Sequence, residues 1–445
     1  MKGLLLNFVR KMPRPSRIRA QHAVPLLGII CLLFSSPAGA RIYIQVDQPS
    51  EKKFPIAVTP LTANGGKNSG DWDRKVSEKI RSDLKLTGLF DLMDPAQFPN
   101  DPAARSSNPA TIKFAPWTLV GAQALVSGDY RFDGSTVTTE LHLYDPFLGQ
   151  HILGRTYRAD PKDMSVVAHH FANEVMKELT GEDGVFDTKI AFTVIAGKHK
   201  KEIGVMDMDG DNAHTVTKDG SIDLSPSWGP GGRIAYSGFG KEGRPEIYVT
   251  GAKGGSRKIT SNGNINLSPA FTPSGDAIAV ASAVTGDTEI YLMGLNGKII
   301  RQLTKSFGID VNPSWSPDGS TFVFASERAG NLHIFKSTGE RLTYVGYQND
   351  NPSWSPKGDK ILFQGRDSGT WDIFVMNSDG SSIQRLTSGM GSNESPTWAP
   401  NARFVSCSST RNGKSQVVIM RDDGTNQTAL PYKGAALQPA WGPKE

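Results

Sequence analysis

The sequence predicts an N-terminal α/β domain followed by a six-bladed all-β propeller that is closed by the C-terminal strand. A motif of the form polar-Pro-small-aromatic-small-Pro occurs six times in the C-terminal part, at intervals of 39–44 residues. Each interval repeats the same order of short apolar segments and Gly turns, which is typical of a four-stranded propeller blade. The residues before the first copy instead alternate between strand and helix patterns, as expected for an α/β domain.

The repeated motif predicts the innermost strand of each blade. Its six copies are residues 225–230, 268–273, 312–317, 351–356, 395–400 and 438–443. The aromatic residue of each copy is predicted to pack between neighbouring blades. The first Pro suits a strand whose free edge faces a central channel, because that edge has no partner to which a backbone N–H could donate.

Residues 1–40 are predicted to be an export signal. They contain six basic and no acidic residues, followed by 12 apolar or small residues at 23–34 and by Ala38 and Ala40 at positions −3 and −1 of a cleavage site. Twelve residues are too few to span a bilayer, so no stable membrane span is expected after cleavage. An uncleaved anchor and a start at Met12 are the alternatives.

Charge argues against nucleic acid as a partner. The formal net charge of +5 falls to about −1 once the six basic residues of the signal are removed. A phosphate-binding surface therefore has no support from net charge.

Residues 41–47 alternate between apolar and polar side chains, and a strand or arm is predicted at residues 41–54. This segment could be an edge strand of the next domain, or it could be a mobile arm that adds as a strand to a partner's sheet. The candidate arm residues are Arg41, Ile42, Tyr43, Ile44, Gln45, Val46 and Asp47.

The α/β domain is predicted at residues 55–182. After a strand at 54–61, Asp71 is a candidate N-cap for a helix that Gly88 ends. A strand at 89–93, a surface loop at 95–109, a hairpin turning at Asp133-Gly134 and a strand at 152–157 follow. A closing helix at 163–179 is predicted to bury one face, formed by Val166, Val167, His170, Phe171, Val175 and Leu179.

The propeller is predicted at residues 186–445, and the strand order indicates how it closes. Residues 188–219 supply three strands with no motif before them, whereas the last motif, at 438–443, has no strands after it. Pairing the two would complete a sixth blade and remove an exposed sheet edge.

Candidate catalytic and metal-binding residues have simpler structural explanations. His169 and His170 are adjacent on a helix, so their side chains point about 100° apart. Residues 207–211 resemble a calcium loop, but Asn212 and Lys218 replace the Gly and Glu that such a loop requires. Cys407 lies in an apolar strand pattern and is predicted to be buried. Because hydrolase, metalloprotease, kinase and P-loop motifs are missing, neither a cofactor nor an enzyme activity is expected.

The residues just before each motif Pro are predicted to lie around the channel mouth. Mixed apolar and polar side chains on a rigid ring suit a protein epitope better than a small substrate. The candidate partner-binding residues are Ile265, Asn266, Ser268, Asp310, Val311, Asn312, Asp350, Asn351, Asn393 and Glu394.

The whole arrangement resembles the TolB family, the periplasmic propeller proteins of the Tol-Pal system, most closely at residues 311–319 and 438–443. The resemblance implies a non-catalytic scaffold for outer-membrane constriction in cell division and for envelope integrity. It implies that the rim binds the peptidoglycan-associated lipoprotein Pal at Ile265, Ser268 and Val311, and that the arm binds TolA. Other outer-membrane proteins are further candidate partners. An exported propeller enzyme, a glycan lyase or a peptidase relative, is the alternative.

Overall fold

The computed structural model describes residue 44 and residues 53–66, 71–101, 103–240, 243–261, 264–367 and 369–444. The predicted signal and all of the predicted arm except Ile44 lie outside the described residues. The backbone N–H of Ile44 donates to Leu179 O at 2.8 Å, and its side chain is half-buried against the core. Among the described residues, no helix combines the length and apolarity needed to cross a membrane.

The N-terminal part forms a mixed sheet. Its helices are α1 (Trp72–Leu86), α2 (Ala115–Leu119) and α3 (Met164–Thr180), and its strands are β1 (Phe54–Val58), β2 (Thr62–Gly66), β3 (Phe90–Leu92), β4 (Ala124–Phe132), β5 (Val137–Asp145) and β6 (Gln150–Ala159). The strand order is β3-β1-β4-β5-β6, with β2 paired to β4. β1 lies parallel to β3 and β4, whereas β4, β5 and β6 form the predicted antiparallel meander.

The two faces of this sheet are covered differently. Apolar side chains of α1 and α3, among them Ile80 and Phe171, share one core with Ile56 and Leu141 of the sheet. On the other face, Trp117 of α2 is buried in a second core. The predicted surface loop at 95–109 is therefore only partly exposed, because Phe98 and Ala104 are buried in this second core.

Two details of the predicted helices are wrong. Asp71 stands at the N-terminus of α1, but its side chain makes no capping hydrogen bond. In α3, Val166 is 48% exposed and the side chain of His170 is 50% exposed, whereas Ala168 and His169 are buried. The buried face is thus rotated from the predicted one, because α3 packs against both the sheet and α1.

The C-terminal part is built entirely from short strands, as predicted. They are β7 (Lys189–Gly197), β8 (Lys200–Asp207), β9 (His214–Thr215), β10 (Ile222–Gly229), β11 (Arg233–Phe239), β12 (Pro245–Gly251), β13 (Gly254–Lys258), β14 (Asn266–Phe271), β15 (Ala277–Ser282), β16 (Glu289–Gly294), β17 (Ile299–Gln302), β18 (Asp310–Trp315), β19 (Phe322–Ser326), β20 (His333–Lys336), β21 (Gln348–Trp354), β22 (Lys360–Arg366), β23 (Asp372–Asn377), β24 (Gln384–Arg385), β25 (Asn393–Trp398), β26 (Phe404–Ser409), β27 (Gln416–Arg421), β28 (Thr428–Ala429) and β29 (Ala436–Trp441).

These strands pair in sequence order into antiparallel sheets such as β14-β15-β16-β17 and β25-β26-β27-β28. The sheet of β18, β19 and β20 is extended by a bridge between Phe335 and Arg341. β29 pairs antiparallel with β7, with Ala436 opposite Val194 and Trp441 opposite Ile190. The last strand of the chain therefore joins the first sheet of the propeller.

Every copy of the motif lies on the first strand of a repeat and carries the same backbone irregularity. The register shifts at the first Pro in β10, β14, β18, β21, β25 and β29, as in a β-bulge. The residue before that Pro has a φ between 46° and 54°. Non-glycine residues seldom adopt this left-handed conformation, and Asn is among those that tolerate it best. The residues concerned are Ser225, Ser268, Asn312, Asn351, Ser395 and Gln438.

The α/β domain contacts one end of the propeller. The motif strands begin at the opposite end, which we call the rim. Because neighbouring strands are antiparallel, the turns that follow the third strand of each repeat lie away from the rim. Asp209, in one such turn, is 2.6 Å from Lys79 of α1, and Asn426, in another, donates to Leu86 O at 2.7 Å. The rim is therefore left uncovered by the α/β domain.

Candidate partner-binding rim

The six motif strands line a single central cavity of about 690 Å³. Its walls are the Pro and aromatic residues of the motif, together with the small residues between them. Trp398 is nearly buried, and its indole N–H donates to Ser353 O of the neighbouring motif strand at 3.0 Å. The aromatic residues thus hold neighbouring repeats together, as the sequence predicts.

Side chains before the motif Pro residues are linked from one repeat to the next. Ser268 donates to Asn312 Oδ1 at 2.6 Å, and Asn312 donates to Asp350 Oδ1 at 2.8 Å. Asn351 donates to Ser395 Oγ at 3.1 Å. Burial raises the pKa of Asp350, although hydrogen bonds from Asn312 and Asn351 oppose the shift. These predicted site residues therefore form a hydrogen-bonded belt that fixes the channel mouth.

Three other predicted site residues point into the blades. Asn266, Asp310 and Asn393 are each buried. Asn266 donates to Glu246 at 2.9 Å, and Asp310 pairs with Arg328 at 2.7 Å. Each of these residues lies three positions before a motif Pro, so their shared burial follows from the repeat. A partner on the rim would not touch these side chains directly.

The exposed part of the rim is more apolar than the sequence suggested. Phe307 is 87% exposed, Tyr344 72% and Val345 70%, all in loops that lead into the motif strands β18 and β21. Of the residues predicted at the site, Ile265 is exposed, whereas Val311 and Glu394 are half-buried. Further apolar side chains on the rim are Val284, Tyr347 and Met390. The sequence does contain a signal for these residues: they are apolar but lie in Gly-containing loops, where packing into a core does not require an apolar side chain.

The other candidate residues are held by internal contacts. Asp207 pairs with Lys189 at 2.7 Å, and Asp211 pairs with Lys79. The lysine ammonium groups therefore neutralise the calcium-like turn. Cys407 is buried, as predicted, and its burial raises the pKa of the thiol to about 12.

An α/β domain joined to a β-propeller with a central channel defines a two-domain propeller protein, whose rim here carries exposed apolar side chains. A family model described as the TolB beta propeller domain matches residues 176–445, and one described as the TolB amino-terminal domain matches residues 42–152. This chain belongs to the TolB family.

Individual relatives agree with this assignment. The chain is 36% identical over 220 residues to the Tol-Pal system protein TolB of Anaeromyxobacter dehalogenans (strain 2CP-C), covering 49% of this chain and 50% of the relative. It is 33% identical over 226 residues to that of Syntrophus aciditrophicus (strain SB), covering 49% of this chain and 50% of the relative. The chain thus spans about half the length of the curated relatives it matches.

A solved structure extends the similarity over most of the chain. The crystal structure of TolB from Acinetobacter baumannii superposes with a TM-score of 0.76 at 25% identity, covering 88% of this chain and 98% of the other. Both the α/β domain and the propeller therefore have a counterpart in a solved member of the family.

Proposed function

We propose that this protein is a non-catalytic periplasmic scaffold of the Tol-Pal system. Its propeller rim binds the peptidoglycan-associated lipoprotein Pal, and its N-terminal arm binds TolA. Through these contacts it supports outer-membrane constriction in cell division and envelope integrity. The exposed apolar residues of the rim carry this proposal, and the Tol-Pal names of the relatives support the choice of partners.

The rim has the physical character of a protein-binding surface. Exposed aromatic and aliphatic side chains that are clustered on one surface mark interaction sites, and Tyr is among the residues enriched at binding hot spots. Phe307, Tyr344 and Val345 provide such anchors, and the hydrogen-bonded belt beneath them holds the loops in place. A partner therefore meets a preorganised surface, which lowers the entropy cost of binding.

We further propose the architecture that presents this rim. The pairing of β29 with β7 supplies the inner strand of a blade whose other strands are β7, β8 and β9. The propeller then has six blades, at residues 186–445, and follows an α/β domain at residues 55–182. Closure by the last strand keeps the rim a continuous ring.

The arm is proposed to reach TolA from the domain that lies away from the rim. Ile44 donates its N–H to the carbonyl of Leu179, the penultimate residue of α3, and rests on the shared core. Ile44 is the arm residue that the structure describes, and it lies beside α3. We propose that the arm leaves this place to add as a strand to a partner's sheet.

The test is capture of Pal by rim variants. Phe307→Glu combined with Val345→Glu places two charges among the exposed apolar side chains, and we expect at least a tenfold loss of affinity for purified Pal, since about 1.4 kcal/mol corresponds to tenfold. Ile300→Glu is the matched control, because Ile300 is 60% exposed on the outer strand β17, away from the loops of the rim.

Equal binding of Pal by the double variant and the Ile300 control, with unchanged melting temperatures, would refute the rim assignment. Deleting residues 41–47 should abolish binding to TolA and spare binding to Pal. Loss of both activities on that deletion would contradict two separate sites.

A further inference from the structure

A pair of side chains recurs in five of the seams between a blade and the one before it, whereas Ala436 takes the equivalent position before the last motif Pro. One member is the buried residue three positions before the motif Pro. The other begins the third strand of the preceding blade. Asn266 thus meets Glu246, Asn349 meets His333, and Asn393 meets Asp372, at donor–acceptor distances between 2.9 and 3.2 Å.

In these seams the negative charge of each buried carboxylate is balanced by a hydrogen-bond donor, a basic side chain or both. Glu246 accepts from Asn266 and pairs with Lys258 at 3.3 Å. Asp372 pairs with Arg385 and accepts from Thr387 at 2.7 Å. Where two acids meet, at Glu289 and Asp310, the Arg328 guanidinium lies 2.7 Å from Asp310. Such compensation is expected, because a buried and unpaired charge is strongly destabilising.

The seam between the β7–β9 blade and β10 departs from this rule. Glu202 and Asp223 occupy the two positions, and a third carboxylate, Asp219, lies beside them. One oxygen from each of the three is within 4.8 Å of the others. Glu202 is 6% exposed and Asp223 is fully buried. In the described part of the chain, none of the three is ion-paired with a Lys, Arg or His side chain.

The hydrogen-bond donors at this seam do not satisfy all three carboxylates. Thr217 donates its single hydroxyl proton to Glu202 Oε2 at 2.8 Å, and the Gly220 N–H donates to Glu202 Oε1 at 3.0 Å. Ser221 donates to Asp223 Oδ1 at 3.2 Å. Asp223 Oδ2 is buried and has no hydrogen-bond partner. Asp223, which has one buried oxygen without a donor, therefore lies beside two further carboxylates.

We propose that Glu202, Asp219 and Asp223 form a calcium-binding site in this seam. Calcium prefers oxygen ligands, often carboxylates, at about 2.3–2.6 Å, so ligand oxygens on opposite sides of the ion are separated by about 4.6–5.2 Å. Oxygens from the three carboxylates all lie within 4.8 Å of one another, close enough to contact one ion. Magnesium usually keeps several waters and takes one or two carboxylates, so a cluster of three carboxylates suits calcium better. A divalent cation would supply here the positive charge that Arg328 supplies in the Glu289 seam.

A bound cation would supply the positive charge that these three carboxylates lack among the described side chains. The site lies just before β10, so an ion here would also fix the loop from Thr217 to Ser221.

Calcium binding is tested on the full chain by isothermal titration calorimetry after treatment with EDTA, together with thermal melting in EDTA and in excess CaCl₂. We expect one calcium ion at this seam and a higher melting temperature in calcium. Asp223→Asn copies the amide found in the Asn266 and Asn393 seams. It should weaken calcium binding at least about tenfold, because affinity depends on the number of charged ligands. In EDTA it should melt no lower than the parent, because it removes the unpaired buried carboxylate.

Two further variants distinguish loss of the proposed calcium site from a general loss of folding. Asp219→Asn changes an exposed ligand, so it should weaken calcium binding without unfolding the protein. Asp310→Asn, in the seam that already holds Arg328, should leave calcium binding unchanged. The proposal is overturned by absence of calcium binding, by undiminished binding in both Asp219→Asn and Asp223→Asn, or by tighter binding of magnesium than of calcium.

Discussion

His169 Nδ1 lies 2.8 Å from Asp83 Oδ2, and both side chains are buried between α3 and α1. On the other side of the ring, His169 Nε2 is 3.8 Å from Asp209 of the propeller. Asp209 in turn contacts Lys79 of α1. A buried chain of alternating acidic and basic groups therefore connects the two domains.

We expect His169 to make the stability of the protein depend on pH. Burial lowers the pKa of His169, but the hydrogen bond to Asp83 and the charges of Asp83 and Asp209 outweigh this and raise it overall. A His whose folded-state pKa lies above the unfolded value of about 6.5 stabilises the protein fully below that pH. The contribution is lost as the pH rises through the folded-state pKa.

His169→Asn keeps an N–H donor for Asp83 but cannot carry the charge. The difference in free energy of unfolding between parent and variant should therefore be largest near pH 6 and shrink as the pH rises, as measured by urea denaturation across a pH series. His170→Asn is the control, because the side chain of His170 is 50% exposed. Parallel profiles for the parent and His169→Asn would contradict the expectation.

Trp398 provides a test of the packing between repeats. Trp398→Ala removes a nearly buried indole and leaves Ser353 O without its donor, so we expect a loss of about 3–5 kcal/mol in the free energy of unfolding. Tyr344→Ala, at an exposed rim position, should change it by less than about 0.5 kcal/mol. Similar losses in both variants would show that the motif Trp is not a structural anchor.

Removal of residues 437–445 tests the pairing of β29 with β7. The deletion exposes the edge of β7 and removes Trp441, whose indole N–H donates to Thr188 Oγ1 at 2.8 Å. We expect the propeller to lose its cooperative melting transition or to melt at a much lower temperature in calorimetry. A transition with unchanged midpoint and enthalpy would rule out a stabilising role for the last strand.

The thiol of Cys407 should be unreactive toward alkylating reagents in the folded protein. Its thiol is buried and its pKa is raised to about 12, so little reactive thiolate forms near neutral pH. We expect negligible alkylation of Cys407 at pH 8 in native buffer and complete alkylation in urea, followed by mass spectrometry of its peptide. Rapid modification in native buffer would show that β26 opens locally.

The repeated motif determined which strands could be predicted from the sequence. Because Pro313 and Trp315 recur in register with equivalent residues in the other copies, the inner strands and the strands that follow them could be located. The burial of Asn266, Asp310 and Asn393 was missed, since each depends on a partner about 20 residues away along the chain. The partners of Asn266 and Asn393 lie in the preceding blade, and Arg328, the partner of Asp310, lies in its own blade.

Residues without a repeated pattern were harder to place. Helical periodicity placed His170 on the buried face of α3, whereas the contact with Asp83 of α1 buries His169 instead. Phe307, Tyr344 and Val345 lie in loops, where exposure is set by the surrounding structure and leaves no periodic signal. Site residues that depend on contacts between distant segments therefore require the structure.

The α/β domain contacts the propeller beside the pairing of β29 with β7. Lys79 contacts the blade that contains β7, whereas Glu182 pairs with Arg403 and Leu86 O accepts from Asn426 in the sheet of β25 to β28. β29 pairs with β7 and packs against β25 and β26 of the other sheet. Separation of β29 from β7 would therefore also disturb the contacts that the α/β domain makes with both sheets. The two domains should consequently unfold as one cooperative unit.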